Sequence, residues 1–269
     1  MRNVRAKKHL GQHFLKDPEI AKRIVASLVR LNDYRTILEV GPGMGVLSDY
    51  LFEIKDHNIF LIEIDKESIS YLKDRFQDRT SSIIEADFLR LEMRERFRDN
   101  FAIIGNFPYN ISSQILFRIL DHRDLIPEAV GMFQKEVAER IVSGPGGREY
   151  GILSVLMQAF YNVELLFSLD EKDFSPPPAV KSAVLRFSRK ENFDLGCDEA
   201  LFRRIVKAAF NQRRKTLRNA LSVLEGRDAV KNLPYMDLRA EKLGWQQFAE
   251  LCRIFADISA KDQKDHKGF

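Results

Sequence analysis

Apolar positions in this chain follow two alternating patterns. Short, nearly unbroken apolar runs occur at residues 36–40, 59–62, 82–86, 101–104, 129–133, 163–169 and 182–187. Runs of that length and composition read as buried strands. Between them the apolar residues recur three and four apart, as in Ile20, Ile24, Val25 and Leu28 over 17–30, and Leu47, Leu51 and Ile54 from 46 onward. Similar stretches at 66–76, 112–120, 135–142 and 151–161 also predict helices. Asp17 followed by Pro18 is a cap and first-turn pair for the first of them. Strands alternating with helices predict an open α/β sheet, with 182–187 expected to close it.

Beyond about Glu191 the strand pattern stops. Residues 198–258 are helical in period, with breaks near Asn211, Gly226, Pro234 and Gly244. The expected organisation is a large domain over 1–190, a small all-helical domain over 191–260, and a disordered Lys- and Asp-rich tail over 261–269.

Composition narrows the class without changing it. With 45% hydrophobic and 30% charged residues, the chain has the make-up of a soluble globular protein. No apolar run approaches the length needed to span a membrane, and no signal-type apolar segment follows the basic N-terminus. Cys197 and Cys252 form no disulfide framework, and His9, His13, His57, His122 and His266 are too scattered for a metal cluster. A cytoplasmic protein without a metal is expected. The net charge of +4 is modest, but its distribution is not even. Arg2, Arg5, Lys7, Lys8 and Lys16 lie in an acid-free arm, and Arg203, Arg204, Lys207, Arg213, Arg214, Lys215 and Arg218 form a second acid-free stretch. Two such patches point to a polyanion partner.

Candidate chemistry sits at the strand ends. The run at 36–40 enters Gly41-Pro42-Gly43-Met44-Gly45 and then a helix, the layout of a nucleotide site. The next strand ends at Glu63, about 20 residues on, where an acid is placed for ribose hydroxyls. The glycines are spaced G-x-G-x-G rather than as in a pyrophosphate loop, and Glu39 precedes them. A carboxylate there would repel a pyrophosphate and suits a ligand carrying an ammonium and a sulfonium, such as S-adenosylmethionine. The third strand ends at Asp87-Phe88, an acceptor and a ring for an adenine. The fourth ends in Gly105-Asn106-Phe107-Pro108-Tyr109-Asn110. Proline makes that turn stiff and non-helical. It can offer the Asn106 oxygen and a carbonyl at 107 or 108 to the two N–H groups of an exocyclic amine, with Tyr109 stacked on the base. Glu39, Glu63, Asp87 and Asn106 thus converge on the sheet edge where ligands of such folds bind. Phe174, at the head of Ser175-Pro176-Pro177-Pro178, is delivered by a stiff segment either to the core or to the second face of the base.

These stretches, with Lys8-His9-Leu10-Gly11-Gln12-His13-Phe14-Leu15 and Gln134-Lys135-Glu136, closely resemble the ribosomal RNA adenine dimethyltransferases over nearly the whole chain. The nearest branch is the housekeeping one that dimethylates N6 of two adjacent adenosines near the 3′ end of small-subunit rRNA. The resemblance implies a Rossmann-like class I methyltransferase sheet with a small C-terminal all-helical domain that binds rRNA. It also implies S-adenosylmethionine as methyl donor with no metal, and a monomer acting on the small ribosomal subunit and its 16S rRNA. By the same resemblance, His13, Leu15, Gly41, Glu63, Asp87 and Asn106 line the cofactor site, joined by Glu39, Gly43 and Phe88 from the residue reading. Asn106, Pro108 and Tyr109 hold the adenine, and Phe174 is its second stacking surface. The family more often carries Asn at position 13 and Leu at position 107. Large-subunit rRNA dimethylases and DNA adenine methyltransferases share the Asn-x-Pro-Tyr turn, but the Gly-Gln-His-Phe-Leu and Phe-Ser-Pro-Pro-Pro segments favour the small-subunit branch. A ribosome-assembly factor is the non-enzyme alternative.

Overall fold

The computed structural model describes residues 4–225 and 230–265. Arg2, the expected break in helical period near Gly226 and residues 266–269 of the tail lie outside the described residues. Seven of the strands form one mixed sheet. They are β2 (Thr36–Val40), β3 (Asn58–Glu63), β4 (Ile83–Glu85), β5 (Phe101–Asn106), β6 (Glu128–Gln134), β7 (Tyr161–Leu169) and β9 (Ser182–Arg189), in the order β4-β3-β2-β5-β6-β9-β7. β4, β3, β2, β5 and β6 run parallel, and β9 pairs antiparallel with β6 from Glu128↔Ser188 to Gln134↔Ser182. The last strand therefore does not close the sheet as the sequence suggested. It inserts between β6 and β7, and β7 is the edge, of which only the end residues Tyr161 and Leu169 are buried. Two further short strands, β1 (Phe14–Leu15) and β8 (Phe174–Ser175), pair antiparallel with each other.

The chain divides into two compact units, one of residues 1–138 and 162–189, the other of 139–161 and 190–269. The second unit is larger than the expected C-terminal domain because residues 139–161 belong to it.

In the first unit, α1 (Pro18–Val25) starts as expected, with the Asp17 carboxylate accepting from Glu19 N at 2.9 Å. It ends earlier than its apolar period suggests. The Val29 and Arg30 amides, which a longer helix would use internally, instead donate to the two oxygens of Glu128 at 3.0 and 3.1 Å. Glu128 is completely buried and also accepts from the Tyr34 hydroxyl at 2.7 Å. α2 (Val46–Leu51), α3 (Lys66–Arg75), the short α4 (Met93–Arg96) and α5 (Ser112–Asp121) follow, and α6 (Lys135–Val142) carries the chain across the division. One apolar core joins Ile24, Ile37, Leu51, Ile104, Val130 and Phe174.

The second unit contains α7 (Ile152–Phe160), α8 (Glu199–Asn211), α9 (Leu217–Glu225) and α10 (Trp245–Asp265), which bury among others Leu156, Phe202, Leu221 and Phe255. Asp198 caps α8 by accepting from Leu201 N at 2.6 Å. The rings of Tyr150, Phe210 and Phe248 form a chain of edge and tilted contacts with centroids 6.0 Å apart. That is why 139–161 groups with the later helices. α10 continues to Asp265, so helix extends into a stretch the composition marks as disordered.

Candidate active site

The parallel strands leave β2 in opposite directions: the chain runs β2, β3, β4 on one side and β5, β6 on the other. A crevice opens at such a reversal, at the carboxyl ends of the strands. Here it is lined by Glu39 to Gly43 at the end of β2, Glu63 at the end of β3, Asp87 and Phe88 after β4, Asn106 and Pro108 to Ile111 at the end of β5, and residues 10–15 of the N-terminal segment.

The glycine loop is shaped by its neighbours. Gly43 has φ +57°, and a Cβ there would lie 2.8 Å from the Phe14 ring. Its amide donates to Glu63 Oε2 at 3.2 Å, while the Ile64 and Asp65 amides both donate to Oε1 at 2.9 Å. Glu63 therefore ties the loops after β2 and β3 together, and of the roughly four acceptor positions of a carboxylate three are in use. Burial pushes its carboxyl above the usual range against the pull of those amides. Glu39 is 1% exposed and accepts from Ser48 Oγ at 2.5 Å. Burial, opposed by that bond and reinforced by the Glu63 charge, pushes its carboxyl up to about 8. Asp87 accepts from Leu89 N at 2.9 Å and caps a short 3₁₀ turn, with Phe88 buried beneath it. Each strand-end acid thus carries a structural bond and also faces the crevice.

At the end of β5 the Asn106 amide nitrogen donates to the His13 carbonyl at 2.7 Å. That bond fixes the orientation of the amide and leaves Oδ1 as an acceptor. Pro108 O accepts one bond, from Ile111 N at 3.1 Å, leaving its second lone pair. Tyr109 OH and Ser182 Oγ are 2.5 Å apart, which locks the ring, and burial pushes the phenol pKa up so that it stays neutral. Phe107, where the family more often has Leu, is 1% exposed and packs over Gly105 and Gly131. Position 13 acts on Asn106 through its backbone, while its ring lies 5.5 Å from that of Tyr109 and its Nδ1 is 2.8 Å from Pro176 O.

Phe174 is a correction. It is 1% exposed, pairs opposite Leu15 in the β1–β8 ladder and belongs to the apolar core, so of the two destinations open to it the structure takes the core. The other cofactor and adenine residues named from sequence, His13, Leu15, Glu39, Gly41, Gly43, Glu63, Asp87, Phe88, Asn106, Pro108 and Tyr109, all line the same crevice. Sequence reasoning missed Ser48, Asp65 and Ser182, whose partners lie on other elements. For Asp65 alone a local signal existed, its place as cap of α3.

In the second unit, Arg204, Lys207, Arg214 and Lys215 are exposed. Arg218 pairs with Asp237 at 2.7 Å, and the Arg213 guanidinium donates to the Gly147 and Arg148 carbonyls. The second basic stretch is therefore only partly available to a polyanion.

A family model described as ribosomal RNA adenine dimethylase matches residues 3–257. The chain belongs to the ribosomal RNA adenine dimethylase family. It is a methyltransferase of that family. It is 53% identical over 255 residues to a protein named Ribosomal RNA small subunit methyltransferase A from Parabacteroides distasonis, covering 94% of this chain and 95% of that one. Identity to the protein of that name from Flavobacterium johnsoniae is also 53%, over 259 residues, 96% of this chain and 98% of that one. Among solved structures, a dimethyladenosine transferase from Plasmodium falciparum superposes with a TM-score of 0.78 at 24% identity, over 92% of this chain and 98% of that one. The 23S rRNA methyltransferase ErmE does so with 0.65 at 24% identity, over 89% and 99%. These two likenesses bear out the Rossmann-like fold of this dimethylase. Its crevice also fits a cationic adenosyl ligand: a buried acid beside the glycine loop, acceptors at the next two strand ends and a fixed amide beyond them. No helix among the described residues is long and apolar enough to cross a membrane, and no group of three or more His, Cys, Asp or Glu among them could hold a metal ion.

Proposed function

We propose that this dimethylase transfers methyl groups to N6 of two adjacent adenosines in the 3′-terminal hairpin loop of 16S rRNA, as a monomer acting in the cytoplasm during small-subunit biogenesis. The observation that carries the reading is the Asn106 amide, held by the His13 carbonyl with Oδ1 left to accept. It sits in one crevice with the acids of a nucleoside site. The names of the relatives at 53% identity support the small-subunit substrate.

S-adenosylmethionine, as methyl donor, supplies an electrophilic methyl on a sulfonium. Gly41, Gly43, Leu15 and His13 would shape its place, and Glu39 would serve its cationic end, Glu63 its ribose, and Asp87 with Phe88 its adenine. The target adenine amine is a weak nucleophile because its lone pair is delocalised into the ring. Accepting its N–H bonds at Asn106 Oδ1 and a carbonyl at 107 or 108 favours a more tetrahedral nitrogen, and Tyr109, fixed through Ser182, offers a flat surface for the ring. The gain comes from positioning and preorganised acceptors, so no strong general base is required. The methylated ammonium is acidic enough to lose its proton to water. The target base must leave its stack to enter. Exposed Arg204, Lys207, Arg214 and Lys215, with Arg203, Arg213 and Arg218 beside them, would meet rRNA phosphates.

The test is transfer of labelled methyl to four substrates: small subunits lacking this methylation, naked small-subunit rRNA, large-subunit rRNA and duplex DNA. Label on adjacent small-subunit adenosines, with two methyls on each, is the expected result. Label only on large-subunit RNA or DNA would overturn the substrate.

A further inference from the structure

The N-terminal segment lines the crevice and is fastened to the turns after two of its strands. On one side the Lys7 ammonium pairs with the Asp65 carboxylate and lies 3.6 Å from Glu67, and the Gln12 amide donates to Asp65 Oδ2 at 3.4 Å. Gln12 Oε1 in turn accepts from Lys7 N at 2.9 Å, closing residues 7–12 into a loop around one 3₁₀ turn. On the other side His9 O accepts from Asn110 Nδ2 at 3.3 Å, and His13 O accepts from Asn106 Nδ2 at 2.7 Å. Gly11 sits so close to the 109–110 turn that a Cβ would lie 2.6 Å from Asn110 Oδ1. Residues 10–15, within and just after these fastenings, line the crevice.

Asp65 is 5% exposed, and its other bonds, from Glu67 N and Ser68 Oγ, are those of an ordinary helix cap. Neither supplies a counter-charge, and a buried carboxylate without one is costly. Burial raises the Asp65 pKa, but the bonds from Lys7, Glu67 and Gln12 lower it further, so it stays ionised and holds the segment. Two residues earlier in the same turn, Glu63 holds the glycine loop. One turn after β3 therefore fastens both the cofactor loop and the segment above it.

We propose that residues 7–13 are a strap, latched on Asp65 by Lys7 and Gln12, whose closure sets the direction of the Asn106 amide, which makes Lys7, Gln12 and Asp65 positioning residues for methyl transfer. The chemistry follows from the two ends of an amide. With the strap closed, the Asn106 nitrogen is held by the His13 carbonyl and the oxygen is presented to the substrate. With it open, the amide is free to turn and present N–H to an amine that itself has only N–H to give. The proposal rests on Asn106 as acceptor of the target amine.

The test uses the full chain with Lys7→Met, Lys7→Arg and Asp65→Asn, and S-adenosylhomocysteine as the probe ligand. Hydrogen exchange of the 7–13 amides, which does not depend on activity, is expected to speed up at least about 10-fold in Lys7→Met and Asp65→Asn. It should return near the parent rate in Lys7→Arg and be slowed in the parent by the probe. On saturating donor, kcat is expected to fall about 10- to 100-fold in the first two variants with KM for rRNA little changed, and to recover in Lys7→Arg. Unchanged exchange in Lys7→Met and Asp65→Asn would overturn the latch. A rise in KM for rRNA at unchanged kcat, in Lys7→Met but not Asp65→Asn, would also overturn it and make Lys7 a phosphate contact. If the exchange pattern holds but Asn106→Ala keeps its activity, the acceptor reading fails while the strap stands.

Discussion

The ring of Phe107 packs against Gly131, so near that a Cβ on Gly131 would fall 2.1 Å from Phe107 Cε2. A glycine on β6 therefore makes room for a large side chain in the turn that carries Asn106. Gly131→Ala should destabilise the protein by about 1–3 kcal/mol through overpacking and lower kcat by moving the turn. Combining it with Phe107→Leu should recover most of both losses. Denaturant unfolding and transfer assays on the single and double variants decide it; additive losses would show that the two residues do not compete for space.

Asn106→Ala removes the fixed acceptor and leaves the His13 carbonyl unpaired. Transfer should fall at least about 100-fold, by analogy with loss of one preorganised hydrogen-bond partner. Thermal unfolding should stay within a few degrees of the parent, and binding of S-adenosylhomocysteine should persist. Substantial remaining activity would remove Asn106 from the chemistry.

Glu39 gives a pH dependence with a definite sign. Its carboxyl is raised from 4.5 to about 8 in the folded chain, first by burial. The folded state thus holds a proton that the unfolded state has released, and stability declines as pH rises from about 4.5 through 8. A cationic ligand beside Glu39 favours the ionised form. Affinity for S-adenosylmethionine should then increase with pH up to about 8 and level off, with a proton released on binding at lower pH. Glu39→Gln should flatten both profiles. Calorimetry in buffers of different ionisation enthalpy reads the proton release directly, and its absence at pH 6 to 7 would contradict the assignment.

Glu128→Ala leaves the buried Tyr34 hydroxyl and the half-buried Val29 and Arg30 amides without their acceptor. The expected cost is about 3 kcal/mol or more. Circular dichroism with urea unfolding measures it, and a loss under ~0.5 kcal/mol would mean that water or the backbone replaces the carboxylate.

Arg214 and Lys215 are exposed, whereas Arg218 is paired with Asp237. Arg214→Gln with Lys215→Gln should weaken rRNA binding and reduce the salt slope of log K by about 1.5 to 2. Asp237→Ala should leave the slope unchanged or steepen it. Equal salt slopes for parent and double variant would place the RNA elsewhere.

What the sequence made legible was whatever depends on local pattern. Glu39, Glu63, Asp87 and Asn106 could be placed because an apolar run ending in a polar residue marks a strand's end, and parallel strands share one ligand edge. Features set by distant partners stayed hidden. The end of α1 depends on a carboxylate about 100 positions away, and no period reveals it. Phe174 was open between core and substrate because a proline-stiffened segment fixes its own shape but not its neighbour, which proves to be Leu15. The place of β9 was missed since a strand buried on both faces reads the same at the middle of a sheet as beside its rim. The helical periods at 135–142 and 151–161 read the same wherever they pack; contacts such as Tyr150 with Phe210 and Arg213 with the Gly147 and Arg148 carbonyls assign residues 139–161 to the second unit.

That assignment has a consequence for dissecting the protein. Residues 139–161 leave the sheet unit after β6, join the helices, and the chain then returns to lay down β7 and β9. Neither unit is an uninterrupted piece of the gene. A stop codon after residue 189 would strand Val155, Leu156, Met157 and Phe160 of α7 without the helices that bury them. A start at 190 would produce helices lacking part of their own core. The two units cannot be shuffled as cassettes by a single crossover, and during synthesis residues 139–161 emerge along with the strands of the sheet, before any of the later helices they join.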